Sequence, residues 1–306
     1  MRAARVHRFG AISDVTLDSI PEPQPASDQI LVRVVSAALN PIDYKVAITG
    51  HRGGRTLPLT LGFDAVGRVE EVGSDVASVK AGDRVCLMTD IMEPGTAADL
   101  VVVREHNLAS VPDAIPDPIA AGLPLAGQTA LQAWELAGLS EGQSVLVHGG
   151  GGGVGHLAVQ LAKTRGATVY ATSSRHNLGL LEDLGVDHPI DHQATPPVRF
   201  AGSVDIVLDT QGGAVAASTL RAMKPGATMV SIVGFQPQED ERRDDVTVIR
   251  MLVEPRAEEL AHLVGLVADH RLRVVVHSTT PLERMVDALQ ALHGGHTAGK
   301  RIIAVS

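Results

Sequence analysis

The stretch Val145-Leu-Val-His-Gly-Gly-Gly-Gly-Gly-Val-Gly155, continued by His156-Leu-Ala-Val-Gln-Leu-Ala-Lys163, decides the fold. Its apolar start predicts a buried strand and its glycines a tight turn. The segment beyond predicts a helix with Leu157, Ala158, Leu161 and Ala162 on one face. Gly150, Gly152 and Gly155 satisfy G-x-G-x-x-G. Without Cβ atoms the backbone turns sharply, approaches a pyrophosphate closely and packs the helix onto the strand. The helix N-terminus adds unpaired N–H groups and the positive end of its dipole. Five consecutive glycines meet such a pattern partly by chance, so a flexible loop is the competing reading.

The flanking sequence favours the cradle. Thr168-Val-Tyr-Ala-Thr172, Val204-Asp-Ile-Val-Leu-Asp209 and Thr228-Met-Val-Ser-Ile-Val233 read as further apolar strands. Helical stretches separate them, with Leu178, Leu181 and Leu184 along one and Ala217, Leu220 and Met223 along another. Strands alternating with helices predict an α/β fold with a parallel, doubly wound sheet.

The end of the second strand bears on the cofactor. Asp or Glu about 20 residues past the glycines accepts hydrogen bonds from the ribose hydroxyls of NAD. Here the chain reads Thr172-Ser-Ser-Arg-His-Asn177, with no carboxylate to repel a 2′-phosphate and with Ser173, Ser174 and Arg175 to bind one. NADPH is favoured over NADH. The alternative is that these residues cap the next helix and solvate a loop.

Composition agrees. The chain has 306 residues, 44% of them hydrophobic, enough for two domains with substantial cores. Its net charge of −9 contains no basic block, which argues against nucleic acid or an anionic membrane surface as partner and for a small diffusing substrate. Cys86 is the only cysteine, so no intrachain disulfide forms, and a cytoplasmic setting is expected. The start Met1-Arg-Ala-Ala-Arg-Val-His7 lacks a signal peptide's apolar core, and no apolar run is long enough to span a bilayer.

Before the nucleotide-binding half the texture changes. Gln29-Ile-Leu-Val-Arg-Val-Val35 and Gly67-Arg-Val-Glu-Glu-Val-Gly73 read as strands among Pro21, Pro23, Pro25 and Gly82, the pattern of an antiparallel β-domain. Asp113-Ala-Ile-Pro-Asp-Pro118 suits a crossing between domains. After Pro255 a helix leads to a strand at Leu272-Arg-Val-Val-Val276. Another helix follows, and Arg301-Ile-Ile-Ala-Val305 closes the chain as a strand returning to the first domain.

Several ordered blocks carry a resemblance over nearly the whole chain. They are Ala38-Leu-Asn-Pro-Ile-Asp-Tyr-Lys45, Gly62-Phe-Asp-Ala-Val-Gly67, Lys80-Ala-Gly-Asp-Arg-Val85 and Leu123-Pro-Leu-Ala-Gly-Gln-Thr-Ala130, then the glycine motif. Asp205-Ile-Val-Leu-Asp-Thr-Gln-Gly-Gly213, Lys224-Pro-Gly-Ala-Thr-Met-Val-Ser-Ile-Val-Gly234, Val253-Glu-Pro255 and Gly299-Lys-Arg-Ile-Ile-Ala-Val305 complete the series. The sequence resembles zinc-independent medium-chain dehydrogenases/reductases of the quinone-oxidoreductase-like branch. The resemblance implies a GroES-like domain at residues 1–116 and 255–306, a Rossmann NADPH-binding domain at 117–254, and a homodimer joined along the sheet edge around Thr228 to Val233.

Zinc enzymes of the superfamily carry a Gly-His-Glu block, but this chain has Gly62-Phe63-Asp64, and Asn40 stands where the first ligand, a cysteine, is expected. Structural zinc usually needs four cysteines, so no metal is expected. His188-Pro-Ile-Asp-His192 has ligand-like spacing but no third ligand nearby.

A metal-free site implies a substrate that accepts hydride under hydrogen-bond polarisation alone, as quinones and α,β-unsaturated carbonyls do. By the resemblance the Asn40 to Lys45 loop lines the substrate side, making Asn40, Tyr44 and Lys45 candidate donors, with Tyr44 first for proton delivery. The alternatives are a Tyr44 ring that simply packs, a solvent-facing Lys45, and water as proton source; Asp43 is expected to orient the loop. The resemblance further assigns Thr129, Gly234 and Val253 to the nicotinamide end and the backbone of Gly152, Gly153, Val154 and Gly155 to the pyrophosphate. It places His192 at the adenosine end, where many relatives have tyrosine. The segment Gly234 to Asp245, with Phe235 as a wall, and the stretch Ile48 to Leu59 are expected to shape the pocket. Gly294-Gly-His-Thr-Ala-Gly-Lys300 imitates a phosphate loop but lacks the Ser or Thr after its lysine, and is read as a turn. The competing functions are a non-catalytic NADPH-binding or structural protein on the same fold and, more remotely, an S-adenosylmethionine methyltransferase.

Overall fold

A computed structural model describes residues 1–51, 54–295 and 297–306. The pocket-shaping stretch Ile48 to Leu59 and the turn Gly294 to Lys300 each include residues outside that set, Arg52 and Gly53 in one and His296 in the other. The chain packs as two units, Met1–Gln128 with Glu254–Ser306, and Thr129–Val253.

The first unit opens with β1 (Arg2–Val6), β2 (Val15–Ser19), β3 (Ile30–Leu39), α1 (Pro41–Thr49), β4 (Leu59–Thr60) and β5 (Asp64–Val72). It continues with β6 (Arg84–Met88), β7 (Leu100–Val103), β8 (Leu108–Ser110) and α2 (Asp117–Ala121). Helix α3 (Pro124–Leu136) carries the chain across the boundary. The second unit holds β9 (Ser144–Val147), α4 (Gly155–Thr164), β10 (Thr168–Ser173), α5 (Leu178–Asp183) and β11 (His188–Asp191). Then come α6 (Val198–Ala201), β12 (Ile206–Asp209), α7 (Gly213–Ala222), β13 (Thr228–Ser231) and β14 (Thr247–Arg250). The chain returns to the first unit through α8 (Ala257–Ala268), β15 (Val276–Pro281), α9 (Met285–His293) and β16 (Lys300–Ala304).

In the first unit β3 alternates only in its middle, with Val32 and Val34 buried, Arg33 exposed and Val35 half-buried, while Ile30, Leu31 and Ser36 to Leu39 at its ends are all buried. The strand order is β15-β16-β3-β5-β6-β8, with β7 also on β3; the ladders are antiparallel except β15 on β16. Ile303 and Val305 of the closing strand sit in the same core as Val32, Val34 and Leu87, so the last residues complete the β-domain. The expected strand at Leu272–Val276 is displaced: the ladder begins at Val276 and runs to Pro281. Residues past 116 stay with this unit because Arg84 pairs with Asp117 at 2.6 Å and Leu125 N–H donates to Asp64 at 2.7 Å.

The second unit is a six-stranded parallel sheet in the order β11-β10-β9-β12-β13-β14. Its inner strands are covered on both faces and read as unbroken apolar runs, with Val145, Leu146, Val147, Val207 and Leu208 all fully buried. From β9 the chain winds outward through β10 and β11, then returns to β12 and winds the other way. The switch point therefore lies between β9 and β12. Strand β13 is paired on both sides, by β12 and β14. This corrects the expected interface edge at Thr228 to Val233, because the outer strands of this sheet are β11 and β14. Phe235, expected on a pocket wall, is instead buried among Met223, Ala227 and Met229 in this unit's core.

Candidate functional site

In the second unit the chain leaves β9 at His148 and enters the glycine loop at Gly149, whose φ of +65° few side chains tolerate. Thr172 holds this exit: Gly149 N–H donates to its Oγ1 at 3.0 Å and Gly150 N–H to its carbonyl at 2.7 Å. A Cβ on Gly155 would lie 2.1 Å from the Gly149 carbonyl oxygen, and one on Gly150 would lie 2.7 Å from the Ala171 Cβ. Gly152 N–H is spent on Gly149 at 2.9 Å, whereas the N–H groups of Gly153, Val154 and Gly155 meet no acceptor among the described residues. Three such N–H groups at the start of α4 make a cradle that could receive an anion.

Beside the cradle, β10 ends in Thr172 and Ser173, both buried. Ser174 stands at the N-cap of the short turn that follows but makes no capping bond with its side chain; its hydroxyl lies 3.2 Å from His176 Nε2. Arg175 is exposed and forms no ion pair among the described residues. The facing carboxylate, Asp191, is in register with Ser173 and accepts Gln193 N–H at 3.0 Å. His192 places its own N–H and its Nδ1 on the Ser173 carbonyl, at 3.1 and 2.7 Å. A carbonyl only accepts, so Nδ1 carries the proton. His188 stacks on Tyr170 with ring centroids 4.1 Å apart.

The first unit brings together four polar side chains that are all 3% exposed or less: Asn40, Asp43, Asp64 and Lys300. Lys300 Nζ donates to Asn40 Oδ1 at 2.5 Å and lies 3.2 Å from Asp64 Oδ2. Asn40 Nδ2 donates to Asp64 at 2.9 Å and, more weakly, to the Ala38 carbonyl at 3.4 Å. Asp43 accepts from Asn40 N–H at 2.7 Å and Gly62 N–H at 3.0 Å, closing the first turn of α1 as its expected orienting role required. Burial pushes the Asp43 carboxyl up to about 7; nearby Asp64 adds to this, while the two N–H donors and Lys300 oppose it. Burial also raises Asp64, against Lys300, Asn40 and Leu125 N–H.

Both ends of the Asn40 amide are thus engaged inside the protein. It holds α1 in place and has no donor left for a substrate, unlike the sequence expectation. Phe63 is buried with the Arg55 guanidinium 5.8 Å from its ring centre. Tyr44 is half-buried on α1, its ring edge-on to His293 at 4.9 Å, and burial raises its phenol. Lys45, beside it, forms no ion pair among the described residues. Thr129 is buried on α3, Gly234 follows β13 with φ of +77°, and Val253 ends the second unit half-buried. No group of three or more His, Cys, Asp or Glu among the described residues has the arrangement of a metal site. Lys300 and Asp64 were missed as site residues; their signal was a charge set at the start of an otherwise apolar strand run.

Residues 26–113 match the family described as the alcohol dehydrogenase GroES-like domain, and residues 184–303 match the family described as zinc-binding dehydrogenase. The 2-methylene-furan-3-one reductase of Solanum lycopersicum is 33% identical over 99% of this chain and 79% of its own length. The NADPH-dependent alkenal/one oxidoreductase, chloroplastic, of Arabidopsis thaliana is 32% identical over 99% of this chain and 79% of its own. Among solved structures, the quinone oxidoreductase from Coxiella burnetii superposes with a TM-score of 0.92 at 33% identity, covering 100% of this chain and 99% of that one.

Proposed function

The chain belongs to the medium-chain dehydrogenase/reductase superfamily, in its quinone-oxidoreductase-like branch, and from that premise we propose a zinc-independent, NADPH-dependent reductase of quinones or α,β-unsaturated carbonyls. The observation that carries the cofactor is the pairing of a three-N–H cradle with an unpaired Arg175 at the end of β10. NADPH fits: only glycine occupies Gly150 and Gly155 without collision, and a guanidinium stands free for a 2′-phosphate. Catalytic zinc does not fit. Asn40 spends its amide on Lys300 and Asp64, Phe63 offers no donor, and the cation in this cluster is the Lys300 ammonium.

The bound cofactor supplies a hydride. The protein's part is to bind it, to hold α1 through Asn40 and Asp43, and to stabilise the electron-rich enolate or hydroquinone oxygen. Tyr44 and Lys45 are the donors for that charge and for the proton. The raised phenol of Tyr44 stays protonated at neutral pH, as a general acid requires. The named activities of the tomato and Arabidopsis relatives support the electrophile class. A homodimer and a reducing, cytoplasmic setting complete the proposal, the latter resting on one buried cysteine.

The test is a screen of NADPH and NADH oxidation against quinones, enones and enoyl thioesters, with and without a zinc chelator, with Tyr44→Phe alongside. NADPH should turn over faster than NADH and the chelator should have no effect. Tyr44→Phe should lower kcat at least tenfold while its ring still packs on His293. Equal or faster NADH turnover overturns the cofactor, and an unchanged kcat in Tyr44→Phe overturns the donor.

A further inference from the structure

The strand that feeds the cradle is followed by a histidine with no exposure. His148 is fully buried, as are Asp209, Thr219 and Ser231 around it. Its Nδ1 lies 3.3 Å from Asp209 Oδ1 and its Nε2 lies 3.2 Å from Thr219 Oγ1 on α7. Its backbone is held as firmly. The N–H donates to the Leu208 carbonyl at 3.0 Å, and the Thr210 hydroxyl donates to its carbonyl at 2.6 Å.

Asp209 is the hub. Oδ1 also accepts the N–H groups of Gln211 and Gly212 at 3.0 and 2.9 Å, and Oδ2 accepts the Ser231 hydroxyl at 2.8 Å. Burial pushes this carboxyl up, but the hydrogen bonds from His148, Gly212, Gln211 and Ser231 outweigh it and hold the group below its ordinary value. An ionised carboxylate only accepts, so His148 Nδ1 is the donor.

His148 directly follows β9 and Asp209 ends β12, the two strands either side of the switch point where ligands of such sheets bind. The glycine loop is thus gripped from both neighbouring strands. Thr172 of β10 takes Gly149 and Gly150, while β12 and the residue after it take the side chain and carbonyl of His148. Every bond fixes the direction in which the backbone leaves β9, and so where the free N–H groups of Gly153, Val154 and Gly155 point.

We propose that His148 is a positioning residue for the dinucleotide: clamped by Asp209, Thr219 and Thr210, it sets the exit angle of the glycine loop and thereby the affinity for the pyrophosphate. This rests on the NADPH reading and deepens it. His148 itself touches no part of the nucleotide in this account.

The experiment compares NADPH with adenosine 2′-monophosphate, which has the 2′-phosphate but no pyrophosphate, binding each by calorimetry or NMR to wild type, His148→Leu, His148→Asn and Thr210→Val. In His148→Leu, NADPH should bind at least tenfold more weakly, the scale set by leaving a buried carboxylate one hydrogen bond short. The fragment should bind within twofold of wild type, since its subsite lies on β10. His148→Asn, whose amide can donate to Asp209, should recover most of the loss. If the Leu variant does not fold, Thr210→Val, which at a half-buried position removes the hydroxyl that holds the His148 carbonyl, should weaken NADPH about threefold to tenfold. Wild-type NADPH affinity in the folded variants overturns the role of His148, as does an equal loss of both ligands, which marks a merely structural part. A wild-type protein that binds no NADPH overturns the nucleotide reading itself.

Discussion

Replacing Lys300 by methionine tests the buried cluster in the first unit. Lys300 is 2% exposed and Asp64 fully buried, so the substitution keeps the apolar stem and removes the one cation that pairs with that carboxylate among the described residues. Breaking such a pair by deleting one partner costs about 3–5 kcal/mol. Protonation caps this cost. A stranded carboxylate can always take up a proton, at about 1.4 kcal/mol for each pH unit above its ordinary value of 3.8. The cap is about 6 kcal/mol at pH 8, just above the pair estimate, and under about 2 kcal/mol at pH 5. Asp64 is already raised in the wild type. A carboxyl raised by folding takes up protons as the chain folds, so its contribution is most favourable below the unfolded value and is lost as pH rises through the folded one. Removing Lys300 raises Asp64 further, so the deficit of the variant must widen with pH. Urea unfolding followed by far-UV circular dichroism should show a loss of about 3–5 kcal/mol at pH 8 and under about 2 kcal/mol at pH 5. Adding Asp64→Asn should return most of it. A loss below about 1 kcal/mol at pH 8, or one equal at both pH values, would refute the reading of Lys300 as the charge partner.

Three further outcomes follow from single contacts. Arg175→Ala should raise KM for NADPH about tenfold and leave NADH unaffected, because one charge-assisted contact to the 2′-phosphate is removed; parallel losses for both nucleotides in steady-state assays would exclude that contact. Gly155→Ala should abolish nucleotide binding, since its Cβ would stand 2.1 Å from the Gly149 carbonyl, whereas Gly179→Ala, with nothing within 4 Å, should raise stability by up to about 1 kcal/mol; calorimetry with NADPH and a thermal melt separate the pair. Trp134→Phe removes a fully buried indole whose Nε1 donates to the Ala158 carbonyl at 2.9 Å, and should cost about 2–3 kcal/mol in urea unfolding; a loss under about 1 kcal/mol would show that this bond contributes little.

Strands covered on both faces announced themselves and strands at the margins did not. Val145–Val147 and Val207–Leu208 are continuous apolar runs because helices bury both sides of the inner sheet. Among the described residues strands β11 and β14 have one neighbour each, so His188-Pro-Ile-Asp191 and Thr247-Val-Ile-Arg250 carry exposed polar residues and, in β11, a proline of the kind an outer strand accommodates. The first resembled a ligand spacing and the second was passed over. The same rule displaced the expected sheet edge inward by one strand, from the outer β14 to the apolar β13. In the first unit, Leu272–Val276 is apolar enough for a strand, yet the ladder starts only at Val276.

The candidate site divides along a similar line, by sequence separation. The glycine loop and the end of β10 are local, so where Gly150, Gly155, Ser173 and Arg175 fall in the fold was legible from the run of sequence around them. The charged cluster is not: Lys300 and Asp64 stand 236 residues apart. Only the ladders join them. Ala38 faces Asp64 on β5, while Leu39 faces Arg301 on β16, which sets Lys300 opposite Asn40 as the strands are extended by one residue. A charge at the start of an apolar strand signals that something must neutralise it, because an unpaired buried charge is too costly to keep. Both Asp64 and Lys300 carried that signal, and they answer one another. Asn40 lies between them with one donor and one acceptor turned to the two charges, so the position where zinc relatives are expected to carry their first ligand, and which was expected here to donate to a substrate, serves the fold of α1 instead.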